Sequence, residues 1–453
     1  LSISAGPTAP ATGSRILGFW MCTALVVGNI IGTGIFVMPA ALAPYGLNAV
    51  TGWGVTALGC LFLAIVLAAL ARSFSRDDGP YAYLTRAFGE GPAFLVMWCY
   101  WISIPVANAA IAIGVVGYLG TFFPALTATP GWSAVTAITL VWFFVLVNLR
   151  GARLAGGVQV LTTVLKLLPL LAVVALGVWV LVQHPGRYAQ HLPPNPASWP
   201  QVSSVLTLAL FAMLGIECAT IPAGRVRTPE TTIPRATLAG TLIAALLYCA
   251  VSVVPMLLIP QPQLAASNAP FADLFSRELG GQYGSMLAAF VIVSALGALN
   301  GWTLVIAELT QSLARHRGFP QVLSRENGRG APSWALLVYG VVTTLMLLTN
   351  YSDSIAAGFA FLITVATAAN LPFYYAASLA YLLLRRRGEI ARDGRAGWQI
   401  AAGVLATAYC VSASIGIGAK PLLWTLALGG VGIPIYLWSV RTRRIEGLAD
   451  STA

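Results

Sequence analysis

Gly28-Asn29-Ile30-Ile31-Gly32-Thr33-Gly34 lies in the middle of the first apolar segment of the chain, where a membrane-crossing helix would be expected to run unbroken. Its glycines permit the backbone to unwind, and irregular backbone at bilayer depth is tolerated only where it is buried in protein or lines a cavity. A second stretch of the same character, Leu214-Gly215-Ile216-Glu217, interrupts a later apolar segment and adds a carboxylate. Two interrupted helices in corresponding places point to a protein that moves a solute through a site built at the breaks.

Composition sets the class. Of 453 residues, 58% are hydrophobic and only 9% charged, and the mean hydropathy is +0.81. A water-soluble domain would not carry these values, so the chain reads as an all-α polytopic membrane protein. The net charge of +11 would suggest nucleic acid in a soluble protein, but the basic residues sit in short connections between apolar runs and report topology instead.

Apolar spans are expected near residues 16–45, 47–71, 91–123, 131–148, 155–183, 201–223, 234–260, 282–313, 332–350, 354–384, 397–417 and 420–441. That is twelve transmembrane helices, each sized for a core of about 30 Å. Sorting the connections into two alternating sets gathers all but four of the 25 Lys and Arg on the side of the termini; the exceptions are Arg187, Arg277, Lys420 and the intramembrane Lys166. Both termini are therefore expected in the cytoplasm. The first fifteen residues are rich in Ser, Thr, Pro, Ala and Gly and lead straight into a span, so they read as a tail and not as a signal peptide.

Soluble chemistry finds no footing. All six cysteines fall within apolar spans without a C-x-x-C spacing, as small apolar packers do, and His184, His191 and His316 lie in connections. No metal, no cofactor and no catalytic constellation is expected. A membrane enzyme would need a second catalytic group near Glu217, and a channel would need polar residues along a continuous path instead of at one depth.

The breaks carry the expected chemistry. Where the first span restarts, the N–H groups of Thr33, Gly34 and Ile35 lack helical partners and sit at the positive end of a helix dipole, a place for a carboxylate; the Thr33 hydroxyl adds a donor. Where the first halves of spans 1 and 6 end, carbonyls around Ile30, Phe211 and Leu214 lose their donors and can accept from an ammonium. Together these ends describe the backbone of an α-amino acid, with Asn29 beside them. The competing reading of Gly28 and Gly32 is a small-residue packing face, whose spacing they fit.

Two ionisable residues lie at bilayer depth, where they are costly and usually functional. Glu217 either lines a cavity as a gate or is held by helix-end N–H groups to stabilise the break. Lys166, halfway along span 5, cannot readily reach water, so it either finds carbonyl partners or gives up its proton. On span 3, Tyr100, Ile104, Asn108 and Ile111 recur at helical spacing and share a face, with Ser103 beside it. Asn108 needs a hydrogen-bond partner there.

These motifs, with Gly79-Pro80-Tyr81-Ala82-Tyr83, Phe88-Gly89 and Gly301-Trp302-Thr303, resemble the amino acid, polyamine and organocation transporter superfamily over nearly the whole chain. Within it the chain is most similar to arginine/agmatine antiporters and their basic amino acid/polyamine relatives. The resemblance implies a 5+5 inverted repeat with discontinuous helices 1 and 6 plus two C-terminal helices. It would divide the chain into a tail (1–14), a first repeat (15–183), an outer loop (184–200), a second repeat (201–384), helices 11 and 12 (385–441) and a second tail (442–453).

Site roles follow from the same resemblance. In those antiporters the carboxylate matched by Glu217 forms a gate with a span 3 tyrosine, matched by Tyr100, and a span 10 tyrosine, whose position reads Phe373 with Tyr374 adjacent. Positions matching Ser103, Ile104 and Asn108 surround a guanidinium, the one matching Phe211 is a Trp, and Trp302 matches a second stacking Trp. Lys166 resembles the span 5 lysine of proton-coupled, sodium-independent members, which stands where sodium-coupled carriers hold an ion.

The expected function is secondary active amino acid transport by alternating access, as an exchanger or with protons, in a bacterial inner membrane. An arginine/agmatine or other basic amino acid/polyamine antiporter is the first alternative, and a non-transporting amino acid sensor on the same fold is the second. Expected partners are a small amino acid or amine, protons, membrane lipids and a second copy in a homodimer, with no nucleic acid. Because Phe211 and Ile104 remove part of a guanidinium pocket, a neutral or moderately polar L-amino acid is expected to serve at least as well as arginine or agmatine.

Overall fold

Long apolar runs in a bilayer satisfy their own backbone groups as helices, and the chain is nearly all helix. The computed structural model describes residues 18–32, 34–74, 80–150, 152–187, 196–220, 226, 228–315, 318–349, 355–390 and 396–450. Thr33, Asp77-Asp78, Gly79, His191, His316 and the tail over 1–14 lie outside the described residues.

In order the helices are α1 (Phe19–Ile30), α2 (Gly34–Leu42), α3 (Leu47–Ser73), α4 (Pro80–Phe88), α5 (Glu90–Leu119), α6 (Ala125–Ala128), α7 (Pro130–Leu149), α8 (Ala152–Gln183) and α9 (Trp199–Ala212). There follow α10 (Pro229–Leu258), α11 (Gln261–Ala265), α12 (Pro270–Leu279), α13 (Gly281–Arg315), α14 (Ser333–Leu348), α15 (Ile355–Arg386), α16 (Ala396–Ile415), α17 (Ala419–Gly430) and α18 (Gly432–Asp450). Ten described helices are long and apolar enough to cross a membrane, or eleven if the bent pair α1 and α2 is one span. The chain is a multi-pass membrane protein.

One expectation about the spans changes. The ninth, expected over 332–350, is a helix of 16 residues, about 24 Å long at 1.5 Å per residue and short of a bilayer core of about 30 Å. The connection between the expected seventh and eighth spans holds α11 and α12. α12 buries Phe271, Leu274 and Phe275 on one side. It is tied inward where Phe271 meets Phe36 edge to face at 5.8 Å and the Tyr118 hydroxyl donates to the Phe36 carbonyl at 2.7 Å.

Helix association in a bilayer depends on close packing because lipid is as apolar as the side chains. The outward faces accordingly stay apolar and uncovered, as at Leu146 on α7 and Leu246 on α10. α5 is largely buried, with α15, α13 and α7 packed around it. Gly215, with φ +108, takes a backbone conformation that L side chains rarely adopt, and an added Cβ would stand 3.2 Å from the Asn29 carbonyl carbon. This glycine lets the segment after α9 lie directly on the end of α1.

Candidate functional site

The first helix stops at Ile30 and a new one starts at Gly34, the two inclined by 44°. Because Gly32 N–H turns to the Ile30 carbonyl at 2.8 Å, the Gly28 carbonyl loses the donor a continuous helix would supply. Lys166 takes that place, its Nζ donating to Gly28 O at 2.8 Å. Lys166 thus has a carbonyl partner, a hydrogen bond that the charged and the neutral amine can both donate. The lysine is 1% exposed and joins α8 to the end of α1.

The expected free carbonyls are partly taken. The Ile30 carbonyl accepts from Gly32 N–H and from the Tyr248 hydroxyl at 2.8 Å. At the end of α9, Leu210 and Phe211 carbonyls accept from Met213 and Leu214 N–H in a tightened last turn. So Ile30 and Phe211 are not bare acceptors here: Tyr248 on α10 and the turn itself satisfy them. With two donors the Ile30 carbonyl has both lone pairs in use, whereas the Phe211 carbonyl keeps its second.

A cavity opens beside these helix ends. The α1 and α2 ends line it with Asn29, Ile30, Gly32 and Gly34, and α5 with Ser103, Ile104, Ala107 and Ile111. Phe211, Ala212 and Leu214 at the end of α9, Trp302 on α13 and Asn370 on α15 complete it. No carboxylate stands among these lining residues. Phe211 leans on the restart of the helix, since a Cβ at Gly34 would meet its ring at 2.9 Å; its ring also meets Phe359 edge to face, with centroids 6.3 Å apart.

Most residues singled out in the sequence meet at this cavity, but not all. Ile35 is wholly buried within α2, outside the lining. Asn108 is turned away: its Nδ2 donates to the Tyr339 hydroxyl at 2.8 Å, which is 3.1 Å from the Thr303 hydroxyl. It joins α5, α13 and α14. Ser103 lines the cavity while donating to the Tyr100 carbonyl at 2.7 Å, leaving its hydroxyl oxygen as an acceptor.

Glu217 sits in the short 3-10 turn Ile216–Thr220 and is 1% exposed. Tyr100 donates to one carboxylate oxygen at 2.8 Å and Tyr374 to the other at 2.9 Å. The span 10 partner is thus Tyr374, not Phe373. One residue is a 100° turn of a helix, and that turn aims Tyr374 at the carboxylate and Phe373 at the Tyr100 ring, with centroids 4.8 Å apart. The cluster links α5, the turn after α9 and α15, next to the cavity and outside its lining.

Asn370 and Ala107 belong to the lining and were not singled out in the sequence. Asn370 had a signal: a polar residue amid the apolar run Ala368-Ala369-Asn370-Leu371-Pro372 needs a reason at that depth. Ala107 had none.

Comparison with known proteins adds to this geometry. The family model described as amino acid permease matches residues 17–433. The chain is 29% identical to the cadaverine/lysine antiporter of Escherichia coli K12 over 98% of its own length and 99% of that protein. It is 29% identical to the putrescine transporter PotE of the same strain over 83% and 85% of the two chains. For the putrescine transporter PotE of Haemophilus influenzae the identity is 27% over 93% and 97%.

Proposed function

Because the chain belongs to the amino acid permease family, and is thereby a transporter and not an enzyme, we propose that it exchanges a cationic L-amino acid for a diamine across a bacterial inner membrane. The observation that carries this reading is the cavity where the end of α1, the start of α2 and the end of α9 meet. Backbone groups there suit the α-carboxylate and α-ammonium, as broken helices do in carriers. Thr33, Gly34 and Ile35 hold the carboxylate; Ile104, Phe211 and Trp302 enclose the side chain.

The relatives' names, cadaverine/lysine antiporter and putrescine transporter, support primary ammonium substrates. So does the departure from a guanidinium pocket at Ile104 and Phe211, because an ammonium is a compact charge with three donors and needs no planar fork of acceptors. A second reading, neutral L-amino acids, is favoured by the absence of a carboxylate from the lining.

In this proposal twelve crossings comprise the ten long spans, the bent pair and α14, arranged as two inverted repeats of five with α16 and the α17–α18 stretch added. Both termini are cytoplasmic, on the side that gathers the basic connections. Glu217 with Tyr100 and Tyr374 forms a gate beside the site, and one group of helices moves around it in alternating access.

Competition against labelled L-lysine in proteoliposomes tests the backbone assignment. L-lysine methyl ester is expected to compete at least tenfold more weakly than L-lysine, because the helix-start N–H groups lose an anion. Equal potency of acid and ester would overturn the assignment.

Lys166 carries the coupling proposal, since its amine occupies the gap at Gly28 where a bound cation would otherwise be coordinated by the carbonyl. Replacing sodium by choline is expected to leave exchange unchanged, and Lys166→Ala to flatten the pH dependence of net uptake. A strict sodium requirement, or a mutant that loses activity equally at every pH, would rule out this role.

A further inference from the structure

We propose that Asn370 selects the substrate's side chain by accepting a hydrogen bond from its terminal ammonium. The inference rests on the exchange reading above and adds a residue which that reading does not use. Asn370 lies on α15 and lines the cavity, yet it is only 2% exposed and its Oδ1 meets no hydrogen-bond partner among the described residues. A carboxamide oxygen buried without a donor is costly, and natural proteins leave one so only where something else supplies the donor. A half-turn of the carboxamide about its Cβ–Cγ bond presents that oxygen to the cavity, where a ligand can supply the donor.

Most other polar groups around the cavity are hydrogen-bonded, and the acceptors still without a donor, Ser103 Oγ and Asn108 Oδ1, both lie on α5. Ser103 gives its proton to Tyr100, Asn108 is turned to Tyr339, and Glu217 is held by Tyr100 and Tyr374 outside the lining. The helix ends near Ile30 and Gly34 are assigned to the α-groups. Asn29, the other carboxamide in the lining, stands at one of those ends. Asn370, on a different helix, therefore meets what distinguishes one amino acid from another.

A neutral acceptor suits a carrier that must also release its cation. A carboxylate at that place would bind an ammonium more tightly and slow its departure, whereas an amide oxygen beside the Phe211 and Trp302 rings attracts it more weakly. Pro372, two residues on, cannot donate to the Ala368 carbonyl. The helix backbone near Asn370 thus has a further acceptor without its usual donor.

The test compares L-lysine with L-norleucine, which keeps the four-carbon side chain and lacks the ammonium. Binding of both to purified wild-type protein and to Asn370→Leu and Asn370→Ser is measured by calorimetry in detergent. The lysine-to-norleucine affinity ratio is expected to fall about tenfold or more in Asn370→Leu, and less in Asn370→Ser, whose hydroxyl can accept. Norleucine affinity should hold or rise. A ratio unchanged in both variants would overturn the Asn370 assignment and leave the exchange reading standing. Equal losses for the two ligands in both variants would do the same, marking a packing residue. Wild-type protein that binds neither ligand nor cadaverine would defeat both.

Discussion

Gly34→Ala is expected to weaken substrate binding by about tenfold or more, and Gly34→Leu to abolish it, while the protein still assembles in the membrane. The added Cβ would stand 2.9 Å from Phe211 Cε1 and 3.6 Å from the Ala212 Cα. The Ala212 contact is an ordinary one, so what must shift is the Phe211 ring, which lines the cavity and meets Phe359 edge to face. Overpacking of this kind costs about 1–3 kcal/mol, and here it is charged to the ligand's space. Trimming the ring in the double variant Gly34→Ala/Phe211→Leu should recover part of the lost affinity. Undiminished lysine binding by Gly34→Leu would show that the restart of the helix is no binding element.

Glu217→Ala is expected to lower exchange by about a hundredfold and to leave equilibrium binding within a few-fold of wild type. The carboxylate takes hydroxyls from two helices, Tyr100 on α5 at 2.8 Å and Tyr374 on α15 at 2.9 Å. Removing it strands both donors in a buried place, at about 1–3 kcal/mol each. The three groups hold separate elements together beside the cavity, so their loss should fall on the closing movement before it falls on the resting site. Glu217→Gln, which can still accept from one hydroxyl, should lie between. Normal exchange by Glu217→Ala would remove the gate from the account, and a loss of binding equal to the loss of exchange would move Glu217 into the site itself.

Much of this site was legible because membranes penalise what they do not need. Glu217 and Lys166 stand out in the sequence as charges at bilayer depth, and the glycines of residues 28–34 mark the place where α1 gives way to α2. What stayed hidden depends on neighbours that only folding brings. Tyr248 comes from α10, 218 residues away, to occupy the Ile30 carbonyl, and no local pattern announces it. The choice between Phe373 and Tyr374 turns on the rotation of one helix, which sequence similarity places only to within a residue. Asn108 looked like a pocket residue because its face is right, but Tyr339 draws its amide into a neighbouring network. The amphipathic α12 and the short α14 were obscured for a simpler reason: length and polarity at span ends are set by what packs on them, not by the segment alone.

The central claim is that the cavity at the breaks is a transport site and not merely a receptor for amino acids. Counterflow measures that directly. Proteoliposomes loaded with unlabelled cadaverine and diluted into labelled L-lysine are expected to accumulate label transiently, well above empty liposomes and above protein-containing vesicles without internal amine. Label that binds the protein yet enters loaded and unloaded vesicles at the rate of protein-free liposomes would contradict the account and leave a sensor in its place.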